Sequence, residues 1–353
     1  MKKKYIEDIR LFTHTSTFFW YAALVVGCFL LPLVCDDYIA SLLVFVCIYA
    51  TAAMGLMLLA GFTGQVSIGH AAFFAIGAYA SAILTGKGVP FLLALPAAGL
   101  VAGLAGMVIG LPVLRLSGLY LSVATMGFAF IIEEVLARWE SLTRGNLGMF
   151  VDPPSIGSFH FDTETRFYYL ALSVLVLTLL GSKNILRSPT GRAMIAIRDS
   201  EVAAQAMGID LVRFKTIAFA VSAFFTGIAG SLYGHKLSFI SPESFTLLVS
   251  IEFLAMIIIG GLGSIHGAVF GSIFYILLPQ VIIMTKDYMP RLVRDQTGLE
   301  SGLFGLMIVL FILFEPLGIY GRWLKIKYYF ETFPLYKKDT FKKEKSYQKV
   351  ERR

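Results

Sequence analysis

Apolar runs recur along nearly the whole of this 353-residue chain, and no other feature limits the possible folds as much. They fall near 18–35, 39–60, 71–85, 89–114, 119–136, 167–181, 214–233, 249–262, 265–285 and 302–320. A helix needs about 20 apolar residues to cross the hydrocarbon core of a bilayer. Only 15% of the residues are charged, where a soluble domain carries about 25%. The expected fold is an all-α polytopic membrane protein with about ten transmembrane helices and no separate soluble domain. The runs at 71–85, 167–181 and 249–262 are short, and are expected to be tilted, broken or partly re-entrant.

Charge sets the expected orientation, because short Lys- and Arg-bearing segments stay on the cytoplasmic side. The head carries Lys2, Lys3, Lys4 and Arg10, the segment 182–216 carries six basic residues, and the tail from 321 carries eleven. Alternation along ten helices places these three segments on one side and the 137–166 loop on the other. Both termini are then cytoplasmic. The expected division is a cytoplasmic segment over 1–17, a membrane domain over 18–322 and a basic cytoplasmic tail over 323–353. Within the membrane domain lie the outer loop 137–166 and an inner loop 182–213. Anionic inner-leaflet lipid accounts for the net charge of +7 without a nucleic-acid partner. Glu7 and Asp8 interrupt the basic head and no A-x-A site follows the first run, so that run reads as an uncleaved helix. Cys28, Cys35 and Cys47 read as small hydrophobic residues, with neither metal-ligand spacing nor a disulfide framework.

The stretch GFTGQVSIGHAAFFAIGAY, residues 61–79, places Gly61, Gly64, Gln65, Ser67, Gly69 and His70 where an apolar helix could have continued. Non-helical backbone at membrane depth survives only where protein or a wet cavity covers it. Two readings stay open from the residues alone. Small residues could simply pack helix on helix, with His70 bonded to a neighbour. Alternatively, a discontinuous element could lie beside a substrate path. His70 has no second ligand spaced to join it on a metal. A second cluster, Gly260-Gly261-Leu262-Gly263-Ser264-Ile265-His266-Gly267 with Gly271 beyond, has the same texture and hints at an internal repeat. Thr125, Glu133, Glu134 and Glu252 are further polar residues in the runs. The three carboxylates stand near run ends, which reads as interfacial exposure.

In the inner loop, Pro189-Thr190-Gly191 marks a turn from which Thr190 can cap a helix. Asp199 or Ser200 can cap a second short helix through Ala203, Ala204 and Met207, ending at Gly208. The expected structure is a helix–turn–helix hairpin leaving the membrane, either a solvated connector or an insert for a partner's groove.

This loop resembles the EAA loop of bacterial ABC importer permeases, the helix that docks on the ATPase subunit. More closely, the chain resembles the LivM-type branch of the branched-chain amino-acid permease family. The resemblance rests on GFTGQVSIGHAAFFAIGAYASAIL, LSGLYLSVATMGFAFII, SLTRGNLGMF, RSPTGRAMIAIRDSEVAAQAMGID and GGLGSIHGAVFGS, in order, from about residue 40 to 323. It implies a multi-pass permease subunit of the bacterial inner membrane, for import of Leu, Ile or Val. The implied partners are a LivH-type second permease, two cytoplasmic ATPases that bind the ATP and Mg, and a periplasmic binding protein. It also implies that Glu201, Ala203, Ala204 and Gly208 form the coupling helix, braced by Gly191, Arg192, Arg198 and Asp199. Gly61, Gly64, Gln65, Ser67, Gly69 and His70 would be the family's membrane signature and, with Thr125, candidates for the translocation path. Thr143, Gly145, Asn146 and Gly148 would form an outer-loop contact for the binding protein. There are two departures. Val202 stands where the general EAA pattern has Glu, with Glu201 one position earlier, and Arg144 stands where the outer loop usually has a second glycine.

The chain has no G-x-x-x-x-G-K-[ST] phosphate loop and no nucleophile–base or metal motif, so energy is expected from another subunit and no catalysis from this one. The alternatives are the same machine carrying urea, short amides or another amino acid, an ion-coupled secondary transporter, or a membrane enzyme built on His70 and His266.

Overall fold

The computed structural model describes residues 15–33, 35–113, 118–157, 159–286, 299–315 and 317–332. The basic head through residue 14 and the tail from 333 lie outside the described residues. The helices are α1 Thr15–Leu30, α2 Asp37–Leu56, α3 His70–Gly86, α4 Phe91–Val113, α5 Leu119–Arg138 and a single turn α6 Glu140–Thr143. They continue with α7 Glu164–Arg187, α8 Pro189–Asp199, α9 Glu201–Ala206, α10 Leu211–Leu237, α11 Leu247–Gly260, α12 Ile265–Lys286, α13 Leu299–Phe314 and α14 Gly318–Thr332. Two antiparallel ribbons complete the described chain. β1 Met149–Phe150 pairs with β4 Phe239–Ile240, and β2 Ser155–Ile156 pairs with β3 Phe159–His160.

The chain is an all-α polytopic membrane protein. Among the described residues, seven helical stretches are long and apolar enough to cross a bilayer: Asp37–Gly61, Phe91–Gly110, Leu119–Arg138, Glu164–Arg187, Leu211–Leu237, Pro242–Gly260 and Ile265–Thr285. Three shorter apolar helices, Phe18–Leu33, His70–Gly86 and Gly302–Phe311, accompany them.

The apolar run at 167–181 is not a short or broken element. Thr163 caps α7 by accepting from the Arg166 amide, and the polar ends of the run are helical too, which extends α7 to 24 residues. The run at 249–262 gains length from the 3-10 turn Pro242–Phe245 ahead of α11. The run at 302–320 divides. α13 stops at Phe314, and α14 begins at Gly318 with φ +67° after Glu315 has accepted a 2.5 Å hydrogen bond from Arg322 Nε. Residues 323–332, assigned to the basic tail by the sequence, are the body of α14.

Helix α10 forms the axis of the bundle, packed on α2, α3 and α4. Lipid tails are as apolar as the side chains, so the hydrophobic effect alone gives little reason for helices to meet; close van der Waals packing through small residues does. Gly99, Gly103, Gly106 and Gly110 recur at helical spacing along one face of α4 and lie against α10 between Thr216 and Ile228. A Cβ on Gly77 of α3 would strike the Gly227 carbonyl of α10, and one on Gly55 of α2 would sit 2.7 Å from the Ser222 oxygen. The Phe91–Gly110, Leu119–Arg138 and Glu164–Arg187 stretches keep most of their surface outward, with Leu93, Leu104, Val108 and Leu177 exposed.

The bundle has two distinct ends. The α8–α9 hairpin, the α2–α3 junction and the α11–α12 turn share one, called here the hairpin end. The β-ribbons, α6, and the contact of His235 Nδ1 with the Asp152 carbonyl (2.7 Å) share the other, the loop end.

Candidate functional site

The hairpin forms from its own capping chemistry. Ser188 precedes Pro189, and a residue before proline is pushed out of the helical region. Ser188 is accordingly extended (φ −72°, ψ 167°) and its hydroxyl accepts from the Gly191 amide, with Pro189 in the first turn. The cap is therefore Ser188, not Thr190. Ser200 caps α9 through the Ala203 amide at 3.2 Å, and Gly208 closes the hairpin at φ +82°. A Cβ on Gly191 would collide with the Ile185 carbonyl, so glycine lets α8 fold tightly back onto α7.

The hairpin's charged residues are exposed, yet several are bonded within the chain. Glu201 pairs with Lys215 of α10 at 2.8 Å, where the lysine side chain is only 5% exposed. Asp199 accepts from Arg198 at 2.9 Å, and Arg192 Nη1 donates to the Arg187 carbonyl at 2.9 Å. Ala204 is buried while Ala203 is exposed. The tip presents apolar side chains: Val202 is 80% and Met207 83% exposed. Val202 is the residue that departs from the Glu of the general EAA pattern.

At the α2–α3 junction the helix widens into a π turn over Met57–Gly61 before it ends. Gly64 takes φ +76°, and residues 64–69 run without helical bonds until α3 starts at His70. Side chains from other helices satisfy this open backbone. Thr125 Oγ1 accepts from the Ile68 amide at 3.0 Å, and Ser122 donates to the Val66 carbonyl at 2.9 Å. Ser250 accepts from the Ala71 amide at 2.8 Å. His70 is fully buried between two hydroxyls, with Nδ1 3.0 Å from Ser67 and Nε2 2.7 Å from Ser222. Ser222 spends its single hydrogen on the Gly55 carbonyl, so His70 Nε2 must donate to Ser222 and Nδ1 must accept from Ser67. The neutral imidazole is thus saturated. Gln65 is also buried, and its Oε1 has no partner among the described residues.

The second glycine cluster is the α11–α12 turn. A Cβ on Gly260 would run into the Gly267 carbonyl and one on Gly271 into the Met256 carbonyl, so the two helices meet backbone to backbone. His266 stands on α12 between Tyr21 (2.6 Å from hydroxyl to Nε2) and the stacked ring of Tyr320.

These three pieces converge on one side chain. Arg198, at the end of α8, donates Nη1 to the Gly61 carbonyl at 3.2 Å. A Cβ on Gly64 would sit 3.2 Å from its Cγ, and a Cβ on Gly263 3.1 Å from its Nη1. Gly61 and Gly263 also touch, since a Cβ on Gly61 would lie 2.7 Å from the Gly263 nitrogen. Arg198 therefore joins the hairpin to both breaks.

At the loop end, Thr143 is buried and donates to the Leu136 carbonyl at 2.7 Å while accepting from Gly145 N at 3.2 Å. Arg144, where a glycine was expected, adopts the left-handed φ of +61° that glycine tolerates best. Gly148, at φ +71°, lets Phe239 and the Ile240 carbonyl press against it, where β4 pairs with β1. Asn146 is exposed, and beside it Leu147 is 87% exposed.

Glu252, expected at an interface from its place near the start of the apolar run, falls near the middle of the longer helical stretch Pro242–Gly260. It is half-buried on α11, where the Tyr275 hydroxyl of α12 faces its carboxylate and Tyr49 and Tyr233 stand close by. Nothing in the sequence links these four positions.

A helical bundle with a capped two-helix hairpin at one end, tied by a side chain to a helix broken within the bundle, is the frame of a multi-pass membrane protein. The family described as "Branched-chain amino acid transport system / permease component" matches residues 38–312, and the chain belongs to it. It is 34% identical over 297 residues to the high-affinity branched-chain amino acid transport system permease protein LivM of Salmonella typhimurium, covering 77% of this chain and 67% of that one. The LivM of Escherichia coli K12 is 33% identical over the same shares. The LivH permease of Salmonella typhimurium is 23% identical over 78% of this chain and 91% of its own length. No solved structure matches the chain.

Proposed function

We propose that this chain is one of two permease subunits of an ATP-binding-cassette importer for branched-chain amino acids in a bacterial inner membrane. Ten helices cross, the seven long ones together with α1, α3 and α13. The hairpin end faces the cytoplasm and the loop end the periplasm, in accord with the basic charge of the head, the 182–216 segment and the tail. The partner permease is LivH-like, since relatives of both names match the chain. Two ATPase subunits hold the ATP and Mg. A binding protein delivers cargo to the loop end around Asn146 and Leu147.

The observation that carries this reading is the Arg198 junction. The exposed tip residues Val202 and Met207 enter a groove on the ATPase, with Ala203 and Gly208 beside them. When the ATPases close, α8 moves, and Arg198 passes that movement to Gly61–Gly64 and to Gly263. The broken segment 64–69 exchanges its hydroxyl partners, and α3 shifts against α10. Ser67, His70 and Thr125 position that segment, with their polar atoms saturated inside the chain.

The test is uptake of labelled leucine by proteoliposomes holding the assembled importer. Wild type takes up leucine only with ATP and binding protein. Val202→Asp or Met207→Asp stops uptake because the tip no longer seats. Uptake without nucleotide under an ion gradient contradicts the reading, and uptake of urea or short amides in place of leucine contradicts its cargo.

A further inference from the structure

We propose that Glu252, Tyr49, Tyr233 and Tyr275 form a binding subsite for the ammonium group of an amino-acid cargo, which rests on the amino-acid reading above. The four come from four elements: α11, α2, α10 and α12. Tyr49 is the hub, its ring 6.2 Å from Tyr233, 5.9 Å from Tyr275 and 5.8 Å from Phe253, centroid to centroid. The Tyr275 hydroxyl faces the Glu252 carboxylate, and the Tyr49 and Tyr233 hydroxyls face each other beside it. Phe45 and Phe304 extend the aromatic wall, 6.4 Å from Tyr233 and 5.3 Å from Tyr275.

Two features separate this cluster from ordinary core packing. First, it holds a carboxylate within a membrane bundle, and among the described residues no Lys, Arg or His forms an ion pair with it. Lys236, whose Nζ lies 5.7 Å from the Phe45 ring at the edge of this wall, is taken by Glu164. An intramembrane carboxylate ordinarily faces a bundle interior or a wet path and has a partner. Second, all four polar residues are half-buried, unlike the sealed His70 network. A carboxylate among tyrosine rings suits one chemical group above others. An alkylammonium takes its counter-charge from Glu252, cation–π attraction from the rings and hydrogen-bond acceptors from the hydroxyls. An uncharged amide would gain little there, and a free carboxylate would be repelled.

The site also lies on the moving part. Phe74 of α3, four residues after His70, packs on Tyr49 at 6.5 Å and on Tyr233 at 5.0 Å. A shift of α3 driven through Arg198 would reshape the cage, which couples cargo release to the hairpin.

The experiment uses the fully assembled importer in proteoliposomes and, in detergent without binding protein, direct binding of labelled leucine. Glu252→Gln keeps shape and removes charge. It lowers uptake at least about tenfold, the scale of a lost charge-assisted bond, while ATP hydrolysis stimulated by the loaded binding protein persists. Glu252→Asp retains part of the uptake, and Tyr275→Phe lowers it by a smaller factor. In the binding assay, 3-methylbutylamine displaces leucine and 4-methylpentanoate does not. Full uptake by Glu252→Gln, with wild type carrying leucine, overturns the subsite alone and marks the group as a protonated structural carboxyl. Displacement by the acid and not the amine overturns it too. A wild type that carries only uncharged amides overturns both the subsite and the amino-acid reading.

Discussion

Two breaks interrupt the helices at the hairpin end, and they are built in opposite ways. The first, between α2 and α3, leaves residues 64–69 outside any helix; hydroxyls of α5 bond its backbone, while Ser222 of α10 and Ser250 of α11 hold His70 and Ala71 at the start of α3. The second, between α11 and α12, is a tight turn whose helices touch through the backbones of Gly260, Gly267 and Gly271. Hydroxyl donors can exchange partners with little change in count, whereas backbone-to-backbone contact admits one arrangement. The comparison teaches a division of labour, with the first break as the hinge and the second as its anchor. Arg198 touches both, so it can move one relative to the other.

The largest effect is expected at the anchor. Gly271→Leu forces a side chain into the Met256 carbonyl, where only backbone could yield. This overpacking should cost more than about 4 kcal/mol, and folded protein should disappear from the membrane on detergent extraction. Recovery of wild-type amounts with a normal melting temperature would show that the second break also gives way, and the contrast would fail.

Arg198→Ala comes next. The variant should fold and hydrolyse ATP, yet import at least about tenfold more slowly, because the hairpin has lost its hydrogen bond to Gly61. Arg198→Lys should not restore import, since one ammonium cannot serve Asp199 and Gly61 in the geometry of a guanidinium. Equal losses of hydrolysis and import would move Arg198 into the ATPase contact itself.

Much of this architecture is legible in the residues and part of it is not. The apolar runs mark the helices, and Ser200 with Gly208 marks the second hairpin helix. The ends are harder. Lys183, Asn184 and Arg187 look like a loop, yet they are helical because the final turns of α7 extend past the apolar run. The Glu315-Pro316-Leu317-Gly318 punctuation does signal the split of the last run, and its apolar neighbours mask it. At the site, the capped hairpin and both glycine clusters stand out locally. Their meeting does not, since Arg198 and Gly61 are 137 positions apart. The same holds for Ser222 opposite His70, and for Glu252, where run position suggests an interface and three distant tyrosines make a cage. Tertiary partners decide those roles, and no local period encodes them.

Within the hinge, His70→Phe should destabilise the chain by about 2 kcal/mol, because it strands Ser67 and Ser222. Ser222→Ala should cost about 1 kcal/mol, and the double variant should cost less than the sum, as expected for coupled partners. Thermal unfolding of the four proteins measures this. Strict additivity would mean that His70 and Ser222 do not act together.

The smallest effect sharpens the contrast most. Gln65→Met removes an amide oxygen that has no partner among the described residues. Its melting temperature should hold or rise, with a gain within about 1 kcal/mol, while import falls a few-fold, because the amide finds its partner in another state of the hinge. Lower stability with unchanged import would place Gln65 among the static supports.

The central claim is that the hairpin and the first break move as one body through Arg198. It is tested most directly by spin-label distances between positions 202 and 66, both exposed, in the assembled importer with and without bound ATP. The account predicts one narrow distance shared by both states in wild type, and a broad, nucleotide-dependent distribution in Arg198→Ala. A wild-type distance that changes with ATP as much as it does in the variant would contradict it.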